Sequence, residues 1–85
     1  MGKLKNKRME IGLSQSQLAK KAGINVRVLQ HYEQVPKKFD HARFDRILKI
    51  VNALGCSIDD VIEDPTFLDL YNTYLDQNSK EVVNG

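Results

Sequence analysis

Four long polar side chains recur at helical spacing in the stretch VRVLQHYEQ. At 100° per residue this stretch forms a helix whose apolar side is centred on Leu29, with Val26, Tyr32 and Glu33 within about 60° of it. The other side, about 100° to 160° from Leu29, carries Arg27, Gln30, His31 and Gln34. These four supply hydrogen-bond donors and acceptors and include no acid. Such a face can bind an anion or the polar edge of a ligand. The alternative is an ordinary solvent-exposed helix face that binds nothing.

Catalytic chemistry is not indicated by the other reactive residues. His31 and His41 lie on different elements, Cys56 has no base beside it, and no glycine-rich phosphate loop is present. No nucleophile, base and orienting group therefore stand together. A lone Cys56 after an apolar stretch is typical of a small buried hydrophobe, and no cysteine or histidine lies at metal-ligand spacing from it. We expect no enzyme, no metal and no cofactor.

Two short helices precede the polar stretch. The first begins near Leu4 and ends at Gly12, the residue type that left-handed caps prefer. Ser14 and Gln17 form a capping box, which predicts a second helix over residues 15–22. Gly23 permits the positive φ of a sharp turn, and Asn25 caps the third helix over residues 26–34. Two helices joined by three residues form a helix-turn-helix.

The remaining signals are also helical. Pro36 ends the third helix, and a basic loop leads to Asp40 as the cap of a fourth helix. That helix has an apolar stripe of Phe44, Ile47, Leu48, Val51 and Leu54. The sequence SIDD predicts a short fifth helix, and Asp64-Pro65 predicts a sixth. We expect a domain over residues 1–64, a C-terminal amphipathic helix over residues 65–78 and a frayed tail over residues 79–85.

Charge divides the chain of 85 residues into two parts. Residues 1–49 hold 12 lysines and arginines against four acids, whereas residues 50–85 hold one lysine against seven acids. This division indicates a polyanion-binding face and a separate, non-binding end, although solvated surface charge explains it equally well. The apolar runs are too short to cross a bilayer, so the sequence predicts a cytoplasmic protein.

The stretch LSQSQLAKKAGINVRVLQHYE, followed by RFDRILKIVNALGCSIDDVIED, resembles the Xre family of regulators of the phage repressor and Cro type. The resemblance covers about residues 4–64. It implies an all-α, five-helix repressor/Cro-like helix-turn-helix domain, here with an additional C-terminal helix. It also implies double-stranded DNA as the partner, read in the major groove by the third helix, and a role as a transcriptional repressor.

The resemblance also implies individual roles. Base contacts fall to Val26, Arg27, Gln30 and His31, and phosphate contacts to Gln15, Lys20, Gln34, Lys37 and Lys38. Arg8 and Glu33 match a structural ion pair between the first and third helices. Two alternatives stay open: Val26 could pack against the turn, and His31 could be a surface side chain without a ligand. Val35-Pro36 replaces the glycine that usually follows the third helix, so the path of the loop is open.

The sixth helix has a wide apolar side. Its residues Phe67, Leu70, Tyr71 and Tyr74 predict a homodimer interface, because aromatic side chains favour interfaces. Packing against the core of its own chain is the alternative. Two functional alternatives also remain, namely an antitoxin or mobile-element controller that acts with a partner protein, and a protein-interaction module without DNA binding.

Overall fold

The computed structural model describes residues 2–84, and side chains through residue 77. The described chain is all-helical. Its elements are α1 (Lys3–Ile11), α2 (Gln15–Ala22), α3 (Val26–Gln34), α4 (Pro36–Asp40), α5 (Phe44–Leu54), a 3-10 turn (Ile58–Asp60) and α6 (Pro65–Asn84). The predicted all-α helix-turn-helix fold with an additional C-terminal helix is confirmed.

Local signals place the ends of α2 and α3 as predicted. The Gln17 amide N–H donates to Ser14 Oγ at 3.1 Å, and the Ser14 N–H donates to Gln17 Oε1 at 2.8 Å, which completes the capping box. Gly23 has φ of 72° and its N–H bonds the carbonyl of Lys20. Asn25 Oδ1 accepts the Arg27 N–H at 2.7 Å. Backbone groups at the two helix ends beside the turn therefore have hydrogen-bond partners.

The core lies between α2, α3 and α5, with α1 and the 3-10 turn closing it. Leu18, Leu29, Ile47 and Ile50 are fully buried. The apolar stripe predicted for α5 is only partly buried, because Phe44 and Leu48 are 48% and 36% exposed. The buried side of α5 also includes Ile50 and Ala53, and α2 packs against this helix.

The sequence predicts a basic loop over residues 37–39 and a helix cap at Asp40, and both predictions are wrong. Pro36 ends α3 as expected, but it is at the same time the first residue of α4. Asp40 lies in α4 and is 3% exposed, and α5 begins after Arg43 with no side-chain cap. Phe39 accounts for this difference from the prediction. Its ring is buried beside Tyr32, at 5.4 Å between ring centroids, and so packs the segment against the core.

The end of the chain differs from the prediction in length. The predicted fifth helix is a single 3-10 turn, in which the Asp60 carboxylate accepts the Ser57 N–H at 3.0 Å. Asp64 caps α6 as predicted by accepting the Thr66 N–H at 2.9 Å. The helix then continues to Asn84, past the predicted end at residue 78, and Gly85 lies outside the described residues.

Candidate nucleic-acid interface

The polar face predicted for α3 is present on the surface. Leu29 is fully buried and Tyr32 is 6% exposed, so the apolar side of α3 faces the core. The opposite side carries four exposed residues, which are Arg27, Gln30, His31 and Gln34. The structure therefore gathers the predicted polar residues on one accessible helix face, with α2 packed behind it.

Val26 stands between the two sides of α3. It is half-buried and packs against the core, so one part of its surface contacts core residues while another stays accessible. This position accords with the packing alternative for Val26 and leaves an apolar surface at the start of the polar face. A thymine methyl group is a ligand of the right chemistry for that surface.

A buried ion pair joins α1 to α3. Arg8 Nε donates to Glu33 Oε2 at 2.7 Å and Arg8 Nη2 donates to Glu33 Oε1 at 2.9 Å, while Arg8 Nη1 bonds the Leu13 carbonyl at 2.8 Å. The two side chains are 10% and 3% exposed. The hydrogen bonds to Glu33 raise the pKa of Arg8. The structure thus pairs Arg8 with Glu33 in bidentate geometry and fixes the angle of α3 to α1.

Gln15 belongs to the same cluster. Its Nε2 donates to Glu33 Oε1 at 3.0 Å. A carboxylate only accepts hydrogen bonds, so the amide nitrogen of Gln15, not its oxygen, must face Glu33. One N–H of that amide remains for a second acceptor. The predicted phosphate contact of Gln15 depends on this N–H, and Arg8 orients it through Glu33.

The other residues predicted to contact phosphates are all exposed. Lys20 is exposed in the last turn of α2, and Gln34 is exposed at the end of α3. Lys37 and Lys38 are exposed on α4, which follows α3 directly. Two further cations already have exposed acidic neighbours: Lys7 lies 3.5 Å from Glu10, and Arg43 lies 3.3 Å from Asp45. Such exposed pairs contribute little and do not prevent a phosphate contact.

One contact that supports α3 was not predicted. Arg46 on α5 donates from Nη1 to the Tyr32 hydroxyl at 3.1 Å, and this bond raises the pKa of Arg46. Tyr32 is thus held by Phe39 on one side and by Arg46 on another. An arginine in the first turn of an amphipathic helix is usually solvated, so the sequence contained no signal for this role.

A second surface feature is an apolar groove between the start of α5 and the start of α6. Phe44 lies 6.4 Å from Tyr71, which in turn lies 6.4 Å from Phe67, between ring centroids. The groove has a volume of about 380 Å³. Its lining residues are Phe44, Phe67, Leu70, Tyr71 and Tyr74, so the structure brings the four predicted interface residues together and adds Phe44.

Other kinds of site are not found in the described part of the chain. The described side chains, those of residues 2–77, include no group of three or more His, Cys, Asp and Glu that could hold a metal ion. Burial raises the pKa of the Cys56 thiol, which opposes thiolate formation. No helix among these residues is long and apolar enough to cross a membrane.

A family of known proteins matches most of the chain. The sequence model of the family described as Helix-turn-helix matches residues 4–61. No curated protein and no solved structure matches the chain significantly. The matched residues run from the second residue of α1 through α5 and the 3-10 turn, and α6 lies outside them.

Proposed function

This chain belongs to the Xre/Cro-like helix-turn-helix family of DNA-binding regulators, and we propose that it reads a specific operator in the major groove with α3. The proposal rests on the polar face of α3, which is exposed and contains no acidic residue. α2 and the turn position α3 so that this face points away from the core. A major groove about 12 Å wide admits one helix and displays donors and acceptors on every base pair. Occupying an operator in this way blocks transcription, so the regulator acts as a repressor.

The side chains on α3 have separate tasks in this proposal. Arg27 forms two hydrogen bonds with a guanine, Gln30 forms two with an adenine, and His31 donates to a guanine acceptor. Val26 contacts a thymine methyl group with its accessible part. Phosphate contacts fix the register on the duplex and come from Gln15, Lys20, Gln34, Lys37 and Lys38.

Arg27→Ala is expected to relax specificity at one base pair, at a cost of about 1 to 3 kcal/mol in discrimination. Arg27 is exposed and its side chain supports no core contact, so the fold is kept. The measurement is selection of bound duplexes from a random pool with the wild-type protein, followed by binding titrations of both proteins against single-base variants of the selected operator.

Lys38→Ala is the matched control, because it removes an exposed cation from α4 and leaves α3 unchanged. It is expected to weaken binding by a similar factor on every sequence. Equal base preference in Arg27→Ala and wild type would reject Arg27 as a base reader. Failure of the wild-type protein to bind any duplex at low salt would reject the whole proposal and favour a protein-interaction module.

We further propose that two copies pair through the apolar groove. Leu70 and Tyr74 are 68% and 58% exposed, and Phe44 is 48% exposed. Since an aromatic side chain carries about 150–250 Å² of surface, the accessible apolar area here is on the order of 500 Å² per protomer. A two-fold pair would bury on the order of 1,000 Å², the size at which specific interfaces begin. Two-fold symmetry also matches operators with two half-sites one helical turn apart.

Leu70→Glu is expected to convert the dimer to a monomer, because it places a carboxylate at the centre of the paired grooves. The measurement is the mass in solution by light scattering over a range of protein concentrations. Asn72→Glu is the matched control: it adds the same charge to α6 on the side away from Leu70, and we expect it to leave the mass unchanged. Identical masses for wild type and Leu70→Glu would exclude this interface and favour the alternative of an antitoxin or mobile-element controller whose partner protein covers the groove.

A further inference from the structure

The single turn of α4 has two distinct sides. Its inner side is formed by Phe39 and Asp40, which are 1% and 3% exposed, and by the half-buried Pro36, which lies against the backbone of Gly2. Its outer side carries only Lys37 and Lys38, both exposed. The two lysines are thus presented as a pair beside the end of α3.

Local signals favour α4 but are too weak to keep it helical alone, although Pro36 stands at its first position and the Lys38 N–H bonds the Val35 carbonyl at 2.8 Å. A peptide needs about 12 to 15 residues before an isolated helix persists in water, and α4 has five. Val35, the residue before it, provides no side-chain cap. The helix, and with it the position of the two lysines, therefore depends on contacts made by its inner side.

Asp40 makes the polar contact of that inner side. Its Oδ1 accepts the Glu63 N–H at 3.1 Å. The segment that supplies this N–H is fixed from the other direction by α1, since Lys3 Nζ bonds the Ile62 carbonyl at 3.2 Å and the Lys3 N–H bonds Glu63 Oε1 at 3.3 Å. Asp40 thus ties the C-terminal end of α4 to a segment that is itself held in place.

We propose that Asp40 is a positioning residue for DNA binding, which holds Lys37 and Lys38 where they contact phosphates. The inference rests on the proposed function, because it requires those two contacts. Without the bond to Glu63, the C-terminal end of α4 opens and the backbone that carries the two exposed lysines becomes flexible. Their attraction to DNA then has to offset the entropy of ordering them again.

The test is a binding titration of full-length wild type, Asp40→Ala and Asp40→Asn on the duplex selected from the random pool, at several salt concentrations. Asp40→Ala is expected to weaken binding on the order of tenfold at 0.1 M salt and to flatten the salt slope, by up to about 1.8 per protomer if both contacts are lost. Asp40→Asn keeps an acceptor oxygen and is expected to bind within about twofold of wild type.

A second background separates positioning from general loss of structure. In Lys37→Ala/Lys38→Ala, the further change Asp40→Ala is expected to have no effect on affinity, because the residues through which it acts are gone. An equal loss in both backgrounds would overturn the proposal, as would wild-type affinity of Asp40→Ala or of Lys37→Ala/Lys38→Ala. If Asp40→Ala fails to fold, Asp40→Ser replaces it in the same titrations, and the same outcomes support or overturn the proposal. The serine side chain is too short to reach the Glu63 amide. Absence of DNA binding by wild type would instead reject the proposed function.

Discussion

Glu33→Ala is expected to lower the free energy of unfolding by about 3 to 5 kcal/mol, the largest loss we expect from a single substitution in this chain. The substitution leaves the Arg8 guanidinium buried with one partner, the Leu13 carbonyl, in place of the three hydrogen bonds it now makes. A buried charge without a partner lowers the stability of a fold far more than the loss of an exposed contact does. Urea denaturation followed by circular dichroism measures the difference.

Lys7→Ala/Glu10→Ala is the matched control for that measurement. It also removes one basic and one acidic side chain that form an ion pair, here within α1. Lys7 Nζ lies 3.5 Å from Glu10 Oε2, and the Glu10 side chain is 70% exposed. Exposed pairs contribute about 0 to 1 kcal/mol, so this variant should unfold close to wild type. If Glu33→Ala lost no more stability than the control, the pair between Arg8 and Glu33 would not be a structural element of the fold.

The helices that could be predicted are those with signals inside their own sequence. Ser14 and Gln17 specify the start of α2, Gly23 its end, and Asn25 the start of α3. Each of these residues acts on backbone groups within a few positions of itself, so the sequence contains all of the interacting partners. The same holds for Asp64 and Pro65 at the start of α6.

The helix that could not be predicted depends on distant partners. In α4, Phe39 packs on Tyr32, and Asp40 bonds the backbone of Glu63, which is 23 positions away. A carboxylate before an amphipathic helix has the appearance of a cap, and only the tertiary structure shows that Asp40 points inward. The contact of Phe44 with Tyr71 of α6, outside the main core, also joins residues far apart in the sequence.

The candidate site divides in the same way. Periodicity alone predicted which side of α3 is exposed, because burial of Leu29 determines the opposite face. The resemblance supplied the pairing of Arg8 with Glu33. Neither source predicted that Gln15 bonds Glu33 or that Arg46 bonds Tyr32, since these contacts join residues 18 and 14 positions apart on different helices.

Affinity for the operator is expected to fall by about 10³ to 10⁵ between 50 and 200 mM salt, the loss for a dimer that makes roughly 6 to 10 phosphate contacts. Each contact releases a condensed counterion, and the entropy of that release shrinks as bulk salt rises. The available exposed donors are mainly Lys20, Lys21, Lys37 and Lys38, with Arg43 beside Asp45. The measurement is a fluorescence anisotropy titration of the selected duplex at four or more salt concentrations.

Two variants test whether the slope arises from the proposed face. Lys37→Ala/Lys38→Ala is expected to flatten the slope by about 1.8 per protomer, since each lost contact removes about 0.9. Asp69→Asn changes an exposed charge on α6, a helix outside the matched family region, and should leave the slope unchanged. A flat response in wild type would contradict phosphate neutralisation as the main source of affinity. A steep slope that Lys37→Ala/Lys38→Ala does not reduce would place the phosphate contacts on other cations, and α4 would then support the fold without contacting DNA.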